Sequence, residues 1–329
     1  MLRFSKERSV PVQKMRLGLC QNCPIITALL IESYLMIPNG KLIVIGGAVD
    51  TGSFTETNYK EDIRNNLNFF EEGILKTILN EAANGLNARI EIIPTASQIP
   101  VEVGAEYVKA FSFLDAHNTG VLHIHTREEA NDPETCARLA AADAVVFTGG
   151  DQLRLTSILG GTDFHHLLLK KYRETPFVLA GTSAGAAACS NNMIYQGSAS
   201  EALLKGEVKI TSGLGLINDV IIDTHFVQRG RIGRLFQAVV SNPMALGIGL
   251  GEDTGLLIKN GSEMIAVGSG LVILVDGRAV KDTNITDVPL GAPISISNLV
   301  VHVMSKDDHY NLQTHQMIIH KERQSADVE

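Results

Sequence analysis

Short, mainly apolar runs alternate with amphipathic segments through the first half of the chain. The apolar runs lie at residues 42–45, 89–94, 121–125, 144–147 and 177–180. Such runs are typical of strands that are covered on both faces of a parallel sheet. Helical periodicity fills the intervening residues 61–83, 101–114, 132–142 and 153–171. The alternation predicts a doubly wound α/β fold with a mostly parallel sheet and right-handed crossovers.

The pattern changes after Gly197, where the apolar runs become shorter and glycines more frequent. Residues 207–210 and 220–223 are predicted as strands, and residues 234–240 as a helix. From Ala245 onward, short strands separated by glycine turns indicate β additions at the edge of the sheet. No internal repeat or low-complexity segment divides the chain, so residues 39–329 are predicted to form a single α/β domain.

The first 38 residues do not share this regularity. Basic residues precede a mildly apolar stretch at residues 25–37, but Glu32 interrupts that stretch and no small-residue cleavage site follows it. We therefore expect a flexible N-terminal extension over residues 1–38, or translation that starts at Met36, rather than a signal peptide. No stretch reaches the roughly 20 apolar residues that span a bilayer, so we expect a cytoplasmic protein without a membrane partner.

Composition excludes several classes of function. A net charge of −8 gives no electrostatic footprint for nucleic acid. The four cysteines are too few for a disulfide scaffold, and Cys20 and Cys23 form a lone C-x-x-C without the further ligands of a zinc site. Residues 46–50 do not supply the G-x-G-x-x-G fingerprint of dinucleotide-binding proteins, and the Walker lysine motif is absent. We expect neither a metal nor another cofactor.

The most informative stretch is residues 178–188, where an apolar run stops at a glycine, presents one serine and resumes as small helix-forming residues. Residues 181–185 fit the G-x-S-x-G nucleophile elbow, in which small residues must flank the serine because a strand turns sharply into a helix. Such a turn exposes the hydroxyl of Ser183, and the N–H of Ala184 can face a developing oxyanion. The motif predicts acyl-transfer chemistry on Ser183.

A serine nucleophile needs a base, and the base needs an orienting carboxylate. Among the ten histidines, His225 ends an apolar strand and is expected at the sheet edge toward which the elbow points. The carboxylate remains open between three candidates. Glu201 lies between the serine and the histidine, Asp223 shares a strand face with His225, and Glu252 and Asp253 form an acidic pair further on.

Three arginines follow the histidine directly, at positions 229, 231 and 234. Guanidinium groups bind carboxylates through two parallel hydrogen bonds, so arginines beside a catalytic histidine suit an anionic substrate. Arg231 and Arg234 would share a face if this stretch is helical. A solvated helix face that pairs with surface acids is the alternative.

Four ordered motifs together resemble the cyanophycinase group of serine peptidase family S51. They are residues 147–155 (FTGGDQLRL), 181–186 (GTSAGA), 223–235 (DTHFVQRGRIGRL) and 249–254 (GLGEDT). The resemblance covers residues 41–277 and implies a fold similar to class I glutamine amidotransferases, which is flavodoxin-like, and a homodimer. It also implies hydrolysis of cyanophycin, a polyaspartate with arginine on each β-carboxyl, to β-aspartyl-arginine dipeptides.

The resemblance also implies roles for particular residues. It makes Ser183 the nucleophile, His225 the base and Glu201 the orienting acid. It places the N–H of Gly149 or Gly150 beside that of Ala184 in the oxyanion hole. It assigns substrate contacts to six residues, namely Gln152, Asp223, Thr224, Arg229, Arg231 and Arg234. The family usually has glutamine where this chain has Thr224, and a threonine cannot make the same amide hydrogen bonds.

Other functions compete with this interpretation. A dipeptidase of the same family that acts on short aspartyl peptides would use the same residues. A binding module without catalysis would keep the pocket only to hold an anionic peptide. An esterase with the α/β-hydrolase fold is disfavoured, because the chain lacks an HGGG-type loop and that fold usually places its histidine much further downstream.

Overall fold

A computed structural model describes residues 37–47 and 73–321, which form a nine-stranded sheet, a four-stranded sheet, two two-stranded sheets and seven α-helices. The residues from 37 onward belong to one compact unit. The predicted extension, the C-x-x-C pair and the first part of the helix predicted at 61–83 lie outside the described residues. The domain boundary at residues 38 and 39 therefore stays a prediction.

The larger sheet has nine strands, and its first five are parallel to one another. These are β1 (Lys41–Ile45), β2 (Ile90–Ile93), β3 (Thr119–Val121), β4 (Ala144–Phe147) and β5 (Val178–Thr182). Their spatial order is β1-β5-β4-β2-β3. Because β1, β5 and β4 are adjacent, the loops that follow their carboxyl ends meet at one edge of the sheet.

Four antiparallel strands extend this sheet beyond β1, in the order β10, β11, β16 and β17. A second sheet has the order β15-β12-β9-β8, and its β8 and β9 are parallel. Two small hairpins complete the β structure. In chain order the strands are β6 (Asn192–Gln196), β7 (Lys209–Ser212), β8 (Val220–Asp223), β9 (Leu246–Leu250), β10 (Thr254–Lys259), β11 (Glu263–Gly268), β12 (Val272–Asp276), β13 (Asp282–Thr283), β14 (Ile296–Ser297), β15 (Val300–Met304), β16 (His309–Asn311) and β17 (Gln316–Ile318).

Helices cover both faces of the parallel strands, which are buried almost throughout. They are α1 (Ile74–Glu81), α2 (Pro100–Phe113), α3 (Pro133–Ala141), α4 (Gln152–Leu159), α5 (Asp163–Glu174), α6 (Ala184–Ala187) and α7 (Ile232–Ser241), with single 3₁₀ turns at Gly85–Asn87 and Glu129–Asn131. Two hydrophobic clusters lie on opposite faces of the large sheet. A third forms between α7 and the second sheet.

The predicted doubly wound α/β fold with added C-terminal strands is confirmed. One detail differs from the expectation that the later strands all join the sheet edge. Strands β9, β12 and β15 leave the large sheet and pair with β8 instead. As a result, the segment that carries His225 and the segment that follows β9 come from parallel neighbours, and their carboxyl ends lie side by side.

Candidate active site

The chain turns from β5 into α6 at Ser183, which has φ 52° and ψ −109°. This strained backbone is the geometry of a nucleophile elbow, and it needs small neighbours. A Cβ on Gly181 would lie 2.5 Å from the carbonyl oxygen of Gly185, and a Cβ on Gly185 would lie 2.6 Å from that of Phe147. The two glycines of the motif are therefore required by the close approach of the backbone.

Three successive carbonyl groups at the end of β1 hold the loops of the site together. They belong to Ile45, Gly46 and Gly47 and accept, in that order, the backbone N–H groups of Ser183 at 2.8 Å, His225 at 3.0 Å and Asp253 at 2.9 Å. The segment after β1 thus aligns the elbow with the two segments that come from the second sheet.

The side chain of Ser183 lies within hydrogen-bond distance of the imidazole of His225. Oγ lies 2.9 Å from Nε2, and on the other side of the ring Nδ1 lies 3.2 Å from Oε1 of Glu252. A carboxylate only accepts, so Nδ1 carries the proton and donates it to Glu252. Nε2 then accepts the hydrogen bond of the serine hydroxyl. This hydrogen-bonded row can deprotonate the serine during attack on a carbonyl carbon.

The expectation that Glu201 orients the histidine is corrected by this geometry. Glu201 is exposed in the turn after β6, and that turn is fixed to α7 by a hydrogen bond of 2.7 Å from Nε2 of Gln237 to the carbonyl oxygen of Ala202. Within the described residues, no hydrogen bond joins the Glu201 side chain to His225. Glu252 occupies the position instead.

A signal for Glu252 was present in the sequence. An apolar run at 245–250 ends just before it, as the run at 220–222 ends just before the segment of His225. Residues that follow two parallel neighbouring strands lie at the same edge. The order of the strands β8 and β9, which the sequence pattern does not reveal, was the missing information.

Gly47 provides the surface on which the imidazole rests. A Cβ at this position would lie 2.2 Å from Cε1 of His225, and the residue has φ 139°, which side chains rarely adopt. His225 itself has φ 50°. The ring is therefore wedged between the backbone of Gly47 and the carboxylate of Glu252.

The environment lowers the pKa of His225 below its ordinary value of 6.5. Burial is the main cause, because it disfavours the charged imidazolium, and the positive charges of Arg229 and Arg231 act in the same direction. The hydrogen bond to Glu252 opposes them. The imidazole is consequently neutral at neutral pH, as a general base must be.

The backbone donors expected in the oxyanion hole lie around Ser183. Ala184 is the first residue of α6, so its N–H has no acceptor within the helix. Gly149 lies against the serine, since a Cβ there would be 3.4 Å from Cβ of Ser183. Gly150 has φ 141°, and a Cβ there would lie 2.0 Å from the carbonyl oxygen of Ala96. Gly149 therefore lets the loop after β4 pass close to the elbow, and Gly150 lets the same loop pass close to the backbone of Ala96.

The three arginines differ in their burial and in their hydrogen-bond partners. Arg234 is buried with Asp223, to which it donates from Nε to Oδ2 at 2.8 Å and from Nη2 to Oδ1 at 2.6 Å. Arg231 is partly buried and donates to the carbonyl oxygen of Thr224 at 2.8 Å. Arg229 is exposed. The predicted substrate contacts of Asp223 and Arg234 are therefore corrected, because each side chain is occupied by the other.

Two further predicted contact residues differ in their accessibility. Gln152 is the first residue of α4, next to the glycine loop, and its Nε2 donates to the carbonyl oxygen of Ile194 at 2.9 Å. Thr224 is only 5% exposed. Its side chain therefore offers little surface to a substrate, whereas Gln152 retains its carbonyl oxygen as an acceptor.

A doubly wound sheet with a nucleophile elbow and a Ser–His–Glu row is the architecture of a serine hydrolase. The chain belongs to peptidase family S51, whose sequence profile matches residues 65–266. It is therefore a hydrolase of the serine peptidase class.

Individual relatives agree with this assignment. The chain is 37% identical to a cyanophycinase of Synechococcus elongatus over 241 residues, which are 73% of this chain and 75% of the relative. It is also 37% identical to a cyanophycinase of Nostoc sp. over 239 residues, 73% of this chain and 80% of the relative. The crystal structure of a peptidase from an acI-B1 Actinobacterium has a TM-score of 0.55 and covers 82% of this chain and 99% of its own. At 19% identity, that likeness shows the fold alone.

Two further features are absent from the described residues. No helix in residues 37–47 and 73–321 is long and apolar enough to cross a membrane. The same residues contain no group of three histidine, cysteine or acidic side chains arranged to hold a metal ion. Cys136 and Cys189 are free thiols, and burial raises the pKa of both.

Proposed function

We propose that the protein hydrolyses cyanophycin to β-aspartyl-arginine dipeptides through an acyl-enzyme on Ser183. The contact that carries the proposal is the 2.9 Å approach of Ser183 Oγ to Nε2 of His225 at the tip of a strained elbow. The relatives that cover most of the chain at 37% identity are named cyanophycinases, which supports the choice of substrate.

In the first half of the reaction, His225 removes the proton of the serine hydroxyl while Oγ attacks the backbone carbonyl carbon after a β-linked aspartyl-arginine unit. Glu252 keeps the proton on Nδ1 and stabilises the imidazolium that forms. The N–H groups of Ala184 and of Gly149 or Gly150 are assigned to the oxyanion. The imidazolium then protonates the departing amine, which leaves an ester on Ser183.

In the second half, water takes the place of the leaving amine. The oxygen of the water molecule attacks the ester carbonyl carbon while His225 accepts a proton from the water. The bond between that carbon and Oγ of Ser183 then breaks, and His225 returns a proton to Oγ. The products are a dipeptide with a free carboxylate and the regenerated serine. Every proton is accounted for by the imidazole.

Arg229 is the arginine best placed to bind a substrate carboxylate, because it is exposed and lies four residues after the base. Each arginine unit of cyanophycin carries a free α-carboxylate. A guanidinium forms two parallel hydrogen bonds with such a group. The side chain of Arg231 is partly accessible, and Gln152 begins α4 directly after the glycine loop.

The direct test is incubation of the full chain with purified cyanophycin, followed by mass determination of the soluble products. We expect a dipeptide of aspartate and arginine from the unmodified chain. The Ser183→Ala variant should lose at least about 10⁴-fold in kcat, as in other serine hydrolases that lack the nucleophile. An undiminished rate in that variant would refute the assignment of Ser183.

A second candidate function is the hydrolysis of short aspartyl peptides by the same residues. It is favoured by Thr224, which replaces the usual glutamine and is buried. Parallel assays with cyanophycin and with Asp-X dipeptides separate the two substrates. A binding module that lacks catalysis would leave both intact and would not be labelled on Ser183 by a serine-directed reagent.

The oligomeric state is proposed from the resemblance, and the cellular location from the sequence pattern. We propose a homodimer in the cytoplasm. Light scattering that gives the mass of a single chain of 35.5 kDa at micromolar concentration would contradict the dimer. Cell fractionation tests the location.

A further inference from the structure

Glu252 is held less tightly by its side chain than by its backbone. The side chain of Glu252 is 39% exposed, and its Oε1 lies 3.2 Å from Nδ1 of His225, a long contact for a charge-assisted hydrogen bond. An exposed glutamate has several rotamers, so its position depends on where its backbone is fixed.

The backbone of Glu252 is held on both sides by side chains. Oε1 of Gln228 accepts its N–H at 3.4 Å, and Oγ1 of Thr254 donates to its carbonyl oxygen at 2.8 Å. The next N–H, that of Asp253, donates to the carbonyl oxygen of Gly47 at 2.9 Å. The turn between β9 and β10 is thereby joined to the segment on which the imidazole rests.

Asp253 has φ 43°, a left-handed backbone that is unusual for a residue other than glycine. Ser269 holds it there from the end of β11. The hydroxyl of Ser269 donates to Oδ2 of Asp253 at 2.8 Å, and the N–H of Ser269 donates to the carbonyl oxygen of Asp253, also at 2.8 Å. The aspartate is 6% exposed, so its carboxylate depends on protein donors.

The approach of β11 to this turn needs a glycine. Gly268 has φ 90°, and a Cβ there would lie 2.2 Å from the carbonyl oxygen of Asp253. Ser269, which follows β11, therefore lies against the turn that carries Glu252.

We propose that Ser269, acting through Asp253, is a positioning residue that sets the distance between the carboxylate of Glu252 and the imidazole of His225. The proposal rests on the proposed function, in which His225 is the base and Glu252 its orienting acid. Ser269 touches neither the substrate nor the reacting atoms.

The pKa of His225 should depend on Ser269. The charged groups that face the imidazole are Glu252 from the β9–β10 turn, Arg229 from its own loop and Arg231 before α7. Among them, only Glu252 raises the pKa of His225. If Ser269 positions Glu252, its removal weakens this contribution, and the pKa of His225 falls.

The test compares Ser269→Ala, Ser269→Thr and a matched control. Ser305→Ala removes another serine hydroxyl that bonds a buried aspartate, since Ser305 Oγ donates to Oδ2 of Asp308 at 3.1 Å between β15 and β16. We expect Ser269→Ala to lower kcat about 3- to 10-fold at an unchanged KM and to move the acid limb of the pH profile to lower pH. Ser269→Thr should restore both, and Ser305→Ala should change neither.

A titration of the His225 ring protons by NMR gives a readout that does not require activity. The pKa of His225 should be lower in Ser269→Ala than in the unmodified chain. A fall in kcat without any displacement of this titration would mean a merely structural role and would overturn the proposal, as would an unchanged kcat. Failure of the proposed function would be distinct, since the unmodified chain would then release no product at all.

Discussion

The two sides of the active site are built on different principles. The elbow side lies in one short stretch, where a buried strand, two glycines and a serine specify the geometry of Ser183 locally. The other side comes from the second sheet, where His225 and Glu252 follow different strands and meet only because β8 and β9 are parallel neighbours. A local motif can be predicted from the sequence, whereas the pairing of two distant strands is known only from the structure.

The choice between two glutamates gives the largest expected effect. Glu252→Gln keeps the size of the side chain but removes the charge that stabilises the imidazolium, and it permits the wrong tautomer of His225. We expect kcat to fall about 10³- to 10⁴-fold, by analogy with triads whose acid is replaced by its amide. Steady-state rates of dipeptide release measure the change.

Glu201→Gln is the matched control, because it makes the same chemical change at the exposed residue to which the family resemblance assigned the role of orienting acid. We expect less than about a twofold change in kcat, since surface substitutions away from the site have small effects. A large loss in Glu201→Gln together with a small one in Glu252→Gln would reverse the comparison and restore the order Ser, Glu, His.

Features that depend on a local motif or on hydrophobic periodicity could be predicted from the sequence. The five parallel strands follow from their apolar runs, and Ser183 and His225 follow from their positions at strand ends. The role of Arg234 was not accessible in this way, because its partner Asp223 is eleven residues away and the depth of burial of a charged pair leaves no mark on the pattern. Glu252 was one of the open candidates, and the sequence could not select it for a related reason, because the pairing of β9 with β8 depends on tertiary packing.

The second prediction tests the close contact between the backbone of Gly47 and the imidazole of His225. Gly47→Ala introduces a Cβ 2.2 Å from the His225 ring, so the ring must move away from Ser183. We expect kcat to fall about 100-fold, which is typical of a displacement of about 1 Å in a catalytic group.

The control for backbone strain is Gly85→Ala. Gly85 also has a positive φ, of 51°, but a Cβ there would meet nothing within 4 Å. We expect both variants to lose some stability, visible as a lower Tm, and only Gly47→Ala to lose activity. Equal kinetic effects in the two variants would show that strain, and not the contact with the ring, is responsible.

The third prediction contrasts a buried arginine with an exposed one. Arg234→Gln leaves the carboxylate of Asp223 buried without its main partner, and breaking such a pair typically costs about 3–5 kcal/mol. Urea unfolding should show this loss as a lower midpoint. Arg229→Gln should leave the midpoint unchanged and raise KM about tenfold, because an exposed guanidinium is available to the substrate. If both variants alter only KM, the ion pair with Asp223 contributes little to stability.

The smallest expected effect is on the pH profile, and it follows from the neighbours of His225. The pKa of this base lies below 6.5 because of burial and of nearby positive charge, so kcat/KM should be lost only as the pH falls through that lowered value. Arg229→Gln removes one of the positive charges that disfavour the imidazolium. The pKa of His225 should then rise, and the acid limb should move to higher pH.

Lys170→Gln, an equivalent loss of charge on the exposed face of α5, should leave the limb in place. Since Arg229 is exposed, the difference between the two variants should shrink in about 1 M salt, where the Debye length is only about 3 Å. A displacement toward lower pH in Arg229→Gln would mean that this arginine acts on the base through Glu252, by holding its carboxylate against the imidazole, and not directly on the imidazole.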